Sequence, residues 1–192
     1  MGAQELNGKK VAFLVAGEGI EQVELTEPWK AVQEAGGQPV LLSPQPGSVQ
    51  AFDHLDKADT FPVDVVVSDA SPSEYAALVL PGGVANPDAL RTDRSAVSFV
   101  QQFAASTRPV FAICHAPWTL IEADVVRGRR TTSWPSLATD LRNAGAEWLD
   151  EELVVCEGGP GPLVTSRKPD DLPAFCSALV ERVARVDVPA GA

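Results

Sequence analysis

The fold is decided by the stretch Phe111-Ala112-Ile113-Cys114-His115-Ala116-Pro117, which changes from a buried strand to the start of a helix. The uninterrupted apolar run before the cysteine predicts a strand that is buried on both faces. Small residues stand two positions before and two after Cys114, which is the spacing of a nucleophile elbow. We therefore interpret Cys114 as a nucleophile. A buried cysteine at the end of a strand, with only a structural role, is the alternative.

Similar apolar runs occur on both sides of this stretch and alternate with helical patterns. The predicted strands are 11–16, 39–43, 63–67, 76–80 and 109–113, followed by a short pair at 153–155 and 163–165. Such alternation predicts a parallel sheet that is covered by helices on both faces. The expected fold class is α/β, a flavodoxin-like doubly wound sandwich with a mostly parallel central sheet.

Length and charge limit the domain organisation and the partners. A chain of 192 residues fits one domain, which we place at 9–186 with tails at 1–8 and 187–192. Lys and Arg number 15 against 26 Asp and Glu, a net charge of −11, which disfavours binding to nucleic acid or to a membrane surface. No segment resembles a signal peptide or a membrane span, so the expected location is cytoplasmic.

Ligands of such sheets bind beyond the carboxyl ends of the strands, where 17–21, 81–88 and 114–117 form the expected loops. The helix dipole and the free N–H groups after Cys114 favour a thiolate. The N–H of His115, together with the backbone at Gly82 and Gly83, predicts an oxyanion hole. The turn-rich segment 44–62 is expected to form a small excursion from the sheet.

The histidines and glutamates limit the catalytic mechanisms that the sequence allows. The histidines are His54 and His115, and because none follows His115, a glutaminase triad with a downstream histidine cannot be built. We read His54 as a solvated loop residue, and we predict neither a metal site nor a cofactor. Four glutamates follow the first strand, and any one of them could hold a proton near the cysteine: Glu18, Glu21, Glu24 and Glu27.

Five segments of the sequence match motifs of a known protein family. They are Gly19–Leu25, Leu78–Gly83, Ala112–Pro117, Thr132–Pro135 and Val164–Leu172. In combination they resemble the PfpI family of intracellular cysteine peptidases and stress proteins. That family lies in the class I glutamine amidotransferase-like superfamily, which includes the Parkinson-associated deglycase. The resemblance extends over roughly Lys9 to Val186.

The resemblance implies roles for particular residues. Cys114 corresponds to the nucleophile, and His115 to the histidine beside it. Glu21 corresponds to the carboxyl that hydrogen-bonds the cysteine. In peptidase-like members an acid from a neighbouring subunit reaches the histidine, and Asp88 stands at the matching position. A homo-oligomer, a dimer or a hexamer, is therefore expected.

Three functions are open at this point. The first is a cofactor-free glyoxalase or deglycase, in which Cys114 adds to a small aldehyde and a proton moves between two carbons. The second is an intracellular cysteine peptidase that acts on peptides through Cys114, His115 and Asp88. The third is a redox sensor or a chaperone without enzymatic activity. The expected pocket residues are Ala116, Pro117 and Trp134.

Two further cysteines carry weaker signals. Cys176 falls on the apolar face of the last predicted helix and is interpreted as a core residue. Cys156 stands beside a Gly/Pro-rich loop, residues 156–162, where a resolving role towards an oxidised thiol is conceivable.

Overall fold

A computed structural model describes residues 5–187, in which short strands alternate with helices. The strands are β1 (Lys10–Leu14), β2 (Glu18–Glu21), β3 (Gln38–Ser43), β4 (Ser48–Asp53), β5 (Asp56–Pro62), β6 (Val65–Val66), β7 (Ala77–Leu80), β8 (Val110–Ile113), β9 (Arg130–Thr131), β10 (Glu147–Trp148), β11 (Val154–Cys156) and β12 (Leu163–Ser166). The helices are α1 (Gln22–Glu34), α2 (Ala85–Leu90), α3 (Arg94–Ala104), α4 (Pro117–Glu122), α5 (Ala138–Asn143) and α6 (Leu172–Ala184).

The central sheet of the described residues has seven strands in the order β11-β12-β8-β7-β1-β3-β6. Every neighbouring pair is parallel except β11 and β12, which run antiparallel at one edge. The strand that leads to Cys114 therefore lies inside the sheet, between β12 and β7. The predicted α/β fold with a mostly parallel sheet is confirmed.

The central strands alternate their side chains between two apolar layers. On β8, Val110 and Ala112 face one layer, whereas Phe111 and Ile113 face the other. Helix α3 covers the first layer, and helices α1 and α6 cover the second. Because both faces are covered, the strands show no polar alternation, and their sequence is a continuous apolar run.

The segment 44–62 differs from the irregular excursion that was expected. Strands β4 and β5 form an antiparallel hairpin, and β4 pairs in parallel with β2 to give a separate sheet in the order β2-β4-β5. Val49 and Ala51 are buried while their neighbours are more exposed, which is the alternation of a sheet with one solvated face. Prolines and acidic residues in this segment obscured the strand pattern.

The predicted N-terminal tail is partly integrated into the domain. Leu6 is fully buried, and its N–H donates to the Ala35 carbonyl over 2.9 Å. Residues 1–4 and 188–192 lie outside the described residues, which leaves half of the predicted N-terminal tail and one residue of the predicted C-terminal tail within them. Within residues 5–187 no helix combines the length and apolarity needed to cross a membrane. The cytoplasmic location stays a prediction.

The packing of β8 against α6 gives a first testable prediction. Phe111 is fully buried and meets Phe175 edge-on, with ring centroids 5.8 Å apart. Phe111→Ala should lower the free energy of unfolding by about 3–5 kcal/mol, because it removes apolar contacts and leaves a cavity. Urea unfolding followed by circular dichroism measures the change. Leu55→Ala is the control, since Leu55 is 93% exposed and should shift stability by no more than about 0.5 kcal/mol.

Candidate active site

The turn after β8 holds Cys114 in a left-handed backbone conformation, with φ of 63°. The Cys114 N–H donates to the Ser166 carbonyl over 3.0 Å, and its carbonyl accepts the Trp134 N–H over 2.9 Å. The residue is 6% exposed, and α4 begins three residues later at Pro117. This is the geometry of a nucleophile elbow, in which the side chain stands above the carboxyl edge of the sheet.

The carboxyl group beside this thiol belongs to Glu24, which is fully buried on the first turn of α1. Its Oε2 accepts the Gly82 N–H over 2.9 Å, while its Oε1 is buried without a hydrogen-bond partner of standard geometry. The carboxyl also approaches the Cys114 sulfur closely enough for each group to alter the pKa of the other.

The prediction that Glu21 hydrogen-bonds the cysteine is therefore wrong. Glu21 is the last residue before α1, and its carboxylate accepts the His54 N–H over 3.2 Å at the rim of the site. Glu24 lies inside the helix, on the buried stripe that it shares with Pro28 and Val32 at intervals of four. Helical spacing in the sequence carried this signal, whereas the motif resemblance selected the wrong glutamate.

Burial raises the pKa of Glu24 to about 8, and the charge of Glu21 adds to the effect. Hydrogen bonds from Cys114, Gly82 and Gly83 oppose the shift without cancelling it. A carboxyl group with this pKa retains its proton in much of the population near neutral pH. Glu24 is therefore uncharged in much of the population near neutral pH and has a proton that it can give up.

Burial also raises the pKa of the Cys114 thiol, and the charge of Glu24 raises it further. The N–H groups of Gly83 and His115 lower it, but they do not outweigh burial. The thiolate expected from the helix dipole is thus not favoured in the resting site. The same two N–H groups lie next to the sulfur, whereas the Gly82 N–H donates to Glu24, so Gly82 does not contribute a free donor and the oxyanion hole formed by Gly83 and His115 stays a prediction.

His115 is the group placed to accept the thiol proton. Its Nδ1 lies 3.1 Å from the Cys114 sulfur, and burial lowers the pKa of the imidazole. A neutral imidazole can accept a proton through its unprotonated nitrogen. The ring stacks on Trp134, with centroids 5.7 Å apart and planes inclined by 23°, and Trp118 packs on it at 5.3 Å. The two indoles fix the orientation of the ring.

Close packing explains the glycine at 82 and reveals a residue that the sequence did not single out. A Cβ atom at Gly82 would lie 2.7 Å from the Cys114 Cβ, so the backbone can approach the thiol only without a side chain. The fully buried Asn86 amide donates to the carbonyls of Pro81 and Gly82 over 2.8 and 3.0 Å. Its oxygen accepts the Ala16 N–H over 2.7 Å, which ties this turn to the end of β1.

Cys114, His115 and Glu24 line a cavity of about 400 Å³. Three side chains on its rim are unusually exposed for apolar residues, namely Leu55 at 93%, Val84 at 57% and Trp134 at 39%. Phe52, His54 and Leu55 come from the β4–β5 hairpin, so the unforeseen sheet supplies one wall. His54 therefore lines the cavity, although its side chain is 82% exposed.

Two of the predicted pocket residues do not line this cavity. Ala116 packs into the core layer under α3, and Pro117 is buried at the first position of α4. The turn that raises Cys114 points the next residues back towards the sheet, so only Trp134 of the predicted set lines the opening.

Asp88 lies away from these groups. It is exposed on α2, and within residues 5–187 no hydrogen bond or ion pair joins it to His115. The triad with Asp88 is therefore not assembled among the described residues, and an acid from another copy stays a prediction.

One set of metal-ligating groups stands at the rim. Single ligand atoms of Glu21, Asp53 and His54 lie within 4.8 Å of one another. Asp53 and His54 are exposed, and the Glu21 carboxylate already accepts the His54 N–H. The prediction that the protein uses no metal stays a prediction.

Comparison with known proteins finds relatives that cover most of the chain. The chain is 42% identical over 167 residues to Protein/nucleic acid deglycase 2 of Escherichia coli strain K12, with 87% of this chain and 93% of that protein covered. It is 42% identical over 168 residues to General stress protein 18 of Bacillus subtilis strain 168, covering 88% and 94% of the two chains.

A solved structure extends the comparison to the fold. A two-domain protein of Anabaena variabilis, with DJ-1/ThiJ/PfpI-like and ferritin-like domains, superposes with a TM-score of 0.84 at 35% identity. The match covers 91% of this chain and 48% of that one. Residues 9–182 also match the sequence profile of the DJ-1/PfpI family, which confirms the resemblance inferred from the motifs. The chain therefore belongs to the DJ-1/PfpI family.

Proposed function

We propose that this protein is a cofactor-free enzyme that uses Cys114 to act on small reactive aldehydes and on the adducts they form with proteins. The observation that carries the proposal is the buried Glu24, a carboxyl group that retains its proton beside the nucleophile. Rearranging a dicarbonyl requires a proton donor and a proton acceptor within one small cavity. The E. coli relative named as a deglycase supports this substrate class.

Activation of the thiol begins with His115. The imidazole Nδ1, 3.1 Å from the sulfur, takes the thiol proton as the sulfur attacks the aldehyde carbon. A carbon–sulfur bond forms, and the carbonyl electron pair moves to the oxygen. The N–H groups of Gly83 and His115 stabilise this oxygen, which then takes the proton from the imidazolium. The product is a hemithioacetal on Cys114.

Glu24 acts in the next stage. His115 removes the hydrogen from the carbon attached to sulfur, and the electrons pass to the neighbouring ketone oxygen, which is protonated by Glu24. In the resulting enediol, His115 returns its proton to the second carbon, and Glu24 recovers a proton from the first hydroxyl. Water then hydrolyses the lactoyl thioester, which releases lactate and restores the thiol.

The shape of the cavity favours a small substrate. Its volume of about 400 Å³ lies near the lower end of small-molecule pockets, which range from roughly 300 to 1,000 Å³. The exposed rim of Leu55, Val84 and Trp134 suits contact with an apolar protein surface that carries the modified side chain. We therefore propose that the protein recognises the reactive carbonyl group, which enters the cavity. The rim of the cavity would show little preference for the sequence around the modified side chain.

The Cys114–His115 contact favours a second candidate, acyl transfer by a cysteine peptidase. In that mechanism His115 needs an orienting acid, and among the described residues of one chain no hydrogen bond or ion pair joins Asp88 to it. We propose that peptidase activity would require an oligomer in which Asp88 of one copy reaches His115 of another.

Substitution of the cysteine and its acidic partner tests the proposed function. Cys114→Ser should abolish lactate formation from methylglyoxal in the absence of glutathione and added metal. Glu24→Gln should lower kcat by about 10²–10⁴-fold, because an amide cannot transfer a proton. Both rates are read from a coupled lactate assay.

Glu27→Gln is the matched control, since it makes the same change from carboxyl to amide at an exposed position of α1 and should leave turnover within about twofold. Full activity in the Glu24→Gln variant, with loss in Glu21→Gln, would contradict the assignment of the proton donor.

The pKa of Glu24 also predicts the pH dependence of stability. Because folding raises this pKa from 4.5 to about 8, the folded state binds more protons than the unfolded state between these values. The contribution of Glu24 is fully present below pH 4.5 and is lost as the pH rises to about 8. Urea unfolding at several pH values should show this loss in the wild type and its absence in Glu24→Gln. Equal slopes for the two proteins would contradict the shifted pKa.

Asp88 separates the two candidate functions. Asp88→Asn should leave lactate formation within about twofold of the wild type, since Asp88 lies outside the cavity of its own chain. Peptide hydrolysis that is present in the wild type and lost in this variant would instead favour the peptidase, and light scattering of both proteins would show whether an oligomer accompanies it.

A further inference from the structure

The segment at the far edge of the central sheet brings a cysteine and a buried arginine together. Cys156 ends β11 and is 6% exposed. Its sulfur accepts the Arg130 N–H over 3.4 Å. Burial alone would raise the pKa of the thiol, but the neighbouring Arg129 side chain and the N–H groups of Arg130 and Gly158 outweigh that effect and lower it. Several N–H donors therefore converge on one sulfur atom, an environment that stabilises negative charge on it.

Arg129 is a buried cation without an acidic partner. It is 6% exposed, and its Nη2 donates to the carbonyls of Cys156 and Gly161, each over 2.8 Å. Its Nε is buried with no hydrogen-bond partner, and among the described residues no carboxylate forms an ion pair with it. A buried charge is strongly unfavourable unless an opposite charge compensates it, and the Cys156 sulfur is the group in place to do so.

The glycine-rich turn makes this pairing possible. A Cβ atom at Gly159 would lie 2.5 Å from the Arg129 Nη1, so a side chain there would displace the guanidinium. Glu157, the nearest acid in sequence, points to α6, where it pairs with Arg182 over 2.7 Å. The loop 156–162 therefore leaves the arginine facing the sulfur rather than a carboxylate.

We propose that Cys156 is a second reactive cysteine, paired as a thiolate with Arg129, and that hydroperoxides oxidise it to a sulfenic acid independently of Cys114. The sulfur forms a bond to one peroxide oxygen while the O–O bond breaks. Sulfur loses two electrons to the peroxide, and the departing hydroxide takes a proton from solvent to become water. The positive charge of Arg129 then stabilises the ionised sulfenate.

Strand register rules out Cys114 as the resolving thiol. Cys156 pairs with Leu163, which aligns with Val110 at the start of β8, whereas Cys114 follows the end of that strand. The two cysteines are therefore about 10 Å or more apart along the strand direction, at roughly 3.3 Å per residue. A disulfide requires Cα atoms within about 7 Å. The sulfenic acid would instead react with a small external thiol.

A titration of the isolated thiol tests the ion pair. In a Cys114→Ser/Cys176→Ser protein, Cys156 is the remaining cysteine, and its thiolate can be followed by ultraviolet absorbance without any need for reagent access. The expected midpoint lies below the ordinary value of about 8.5, and Arg129→Gln should raise it by at least about one pH unit. Arg182→Gln is the matched control, because it removes a nearby positive charge that faces Glu157. A midpoint at or above the ordinary value, or one unaffected by Arg129→Gln, would overturn the proposal.

A second pair of variants covers the case in which Arg129→Gln does not fold. Cys156→Asp keeps a negative charge beside Arg129, whereas Cys156→Ser does not. The aspartate variant should have the higher melting temperature at neutral pH, and the reverse order would count against the ion pair.

Oxidation is tested on the wild type and on Cys114→Ser with hydrogen peroxide, a sulfenic-acid probe and peptide mass spectrometry. Cys156 should be labelled about tenfold faster than Cys176 in both proteins, because burial raises the pKa of Cys176 to about 12. Labelling of Cys156 that is no faster than that of Cys176 would refute the oxidation step even if the thiolate forms.

Discussion

The left-handed backbone of Cys114 is the constraint on which the rest of the site depends. A residue with a Cβ atom adopts this conformation at a cost of about 1–2 kcal/mol, so neighbouring structure must hold it in place. The Ser166 carbonyl and the Trp134 N–H, one on each side of the turn, provide that support. The first contact depends on the parallel pairing of β8 with β12, and Cys114 is therefore positioned in part by the interior of the sheet.

Charge at the site is controlled by burial rather than by the helix dipole. Glu24 and Cys114 lie together in a buried region, where burial raises the pKa of both groups and the charge of Glu24 raises the pKa of the thiol further. Both groups therefore tend to retain their protons in the resting site. Asn86 completes this arrangement, because its three hydrogen bonds prevent the Gly82 turn from moving away from the carboxyl. The buried pair of Glu24 and Cys114 is thus close to neutral in a protein of net charge −11.

The sequence was sufficient to predict the fold and the tight turn that holds Cys114, because both follow from local patterns. Apolar runs identified the parallel strands, and small residues around Cys114 identified the elbow. The choice between Glu21 and Glu24 required the phase of α1 relative to the sheet, which depends on where the helix begins. The β4–β5 hairpin was missed because only alternate positions such as Val49 and Ala51 are buried. No local sequence pattern pointed to Asn86, because its structural role depends on hydrogen bonds that include one to a segment distant in sequence.

The hairpin has a consequence for how such a protein can diversify. The reacting groups stand on the central sheet and on α1, whereas Phe52 and Leu55 reach the opening from a sheet of their own. Insertions or substitutions in the turn between β4 and β5 would remodel the entrance without disturbing the strands beneath Cys114. Natural selection can therefore act on what enters the cavity separately from the chemistry performed inside it.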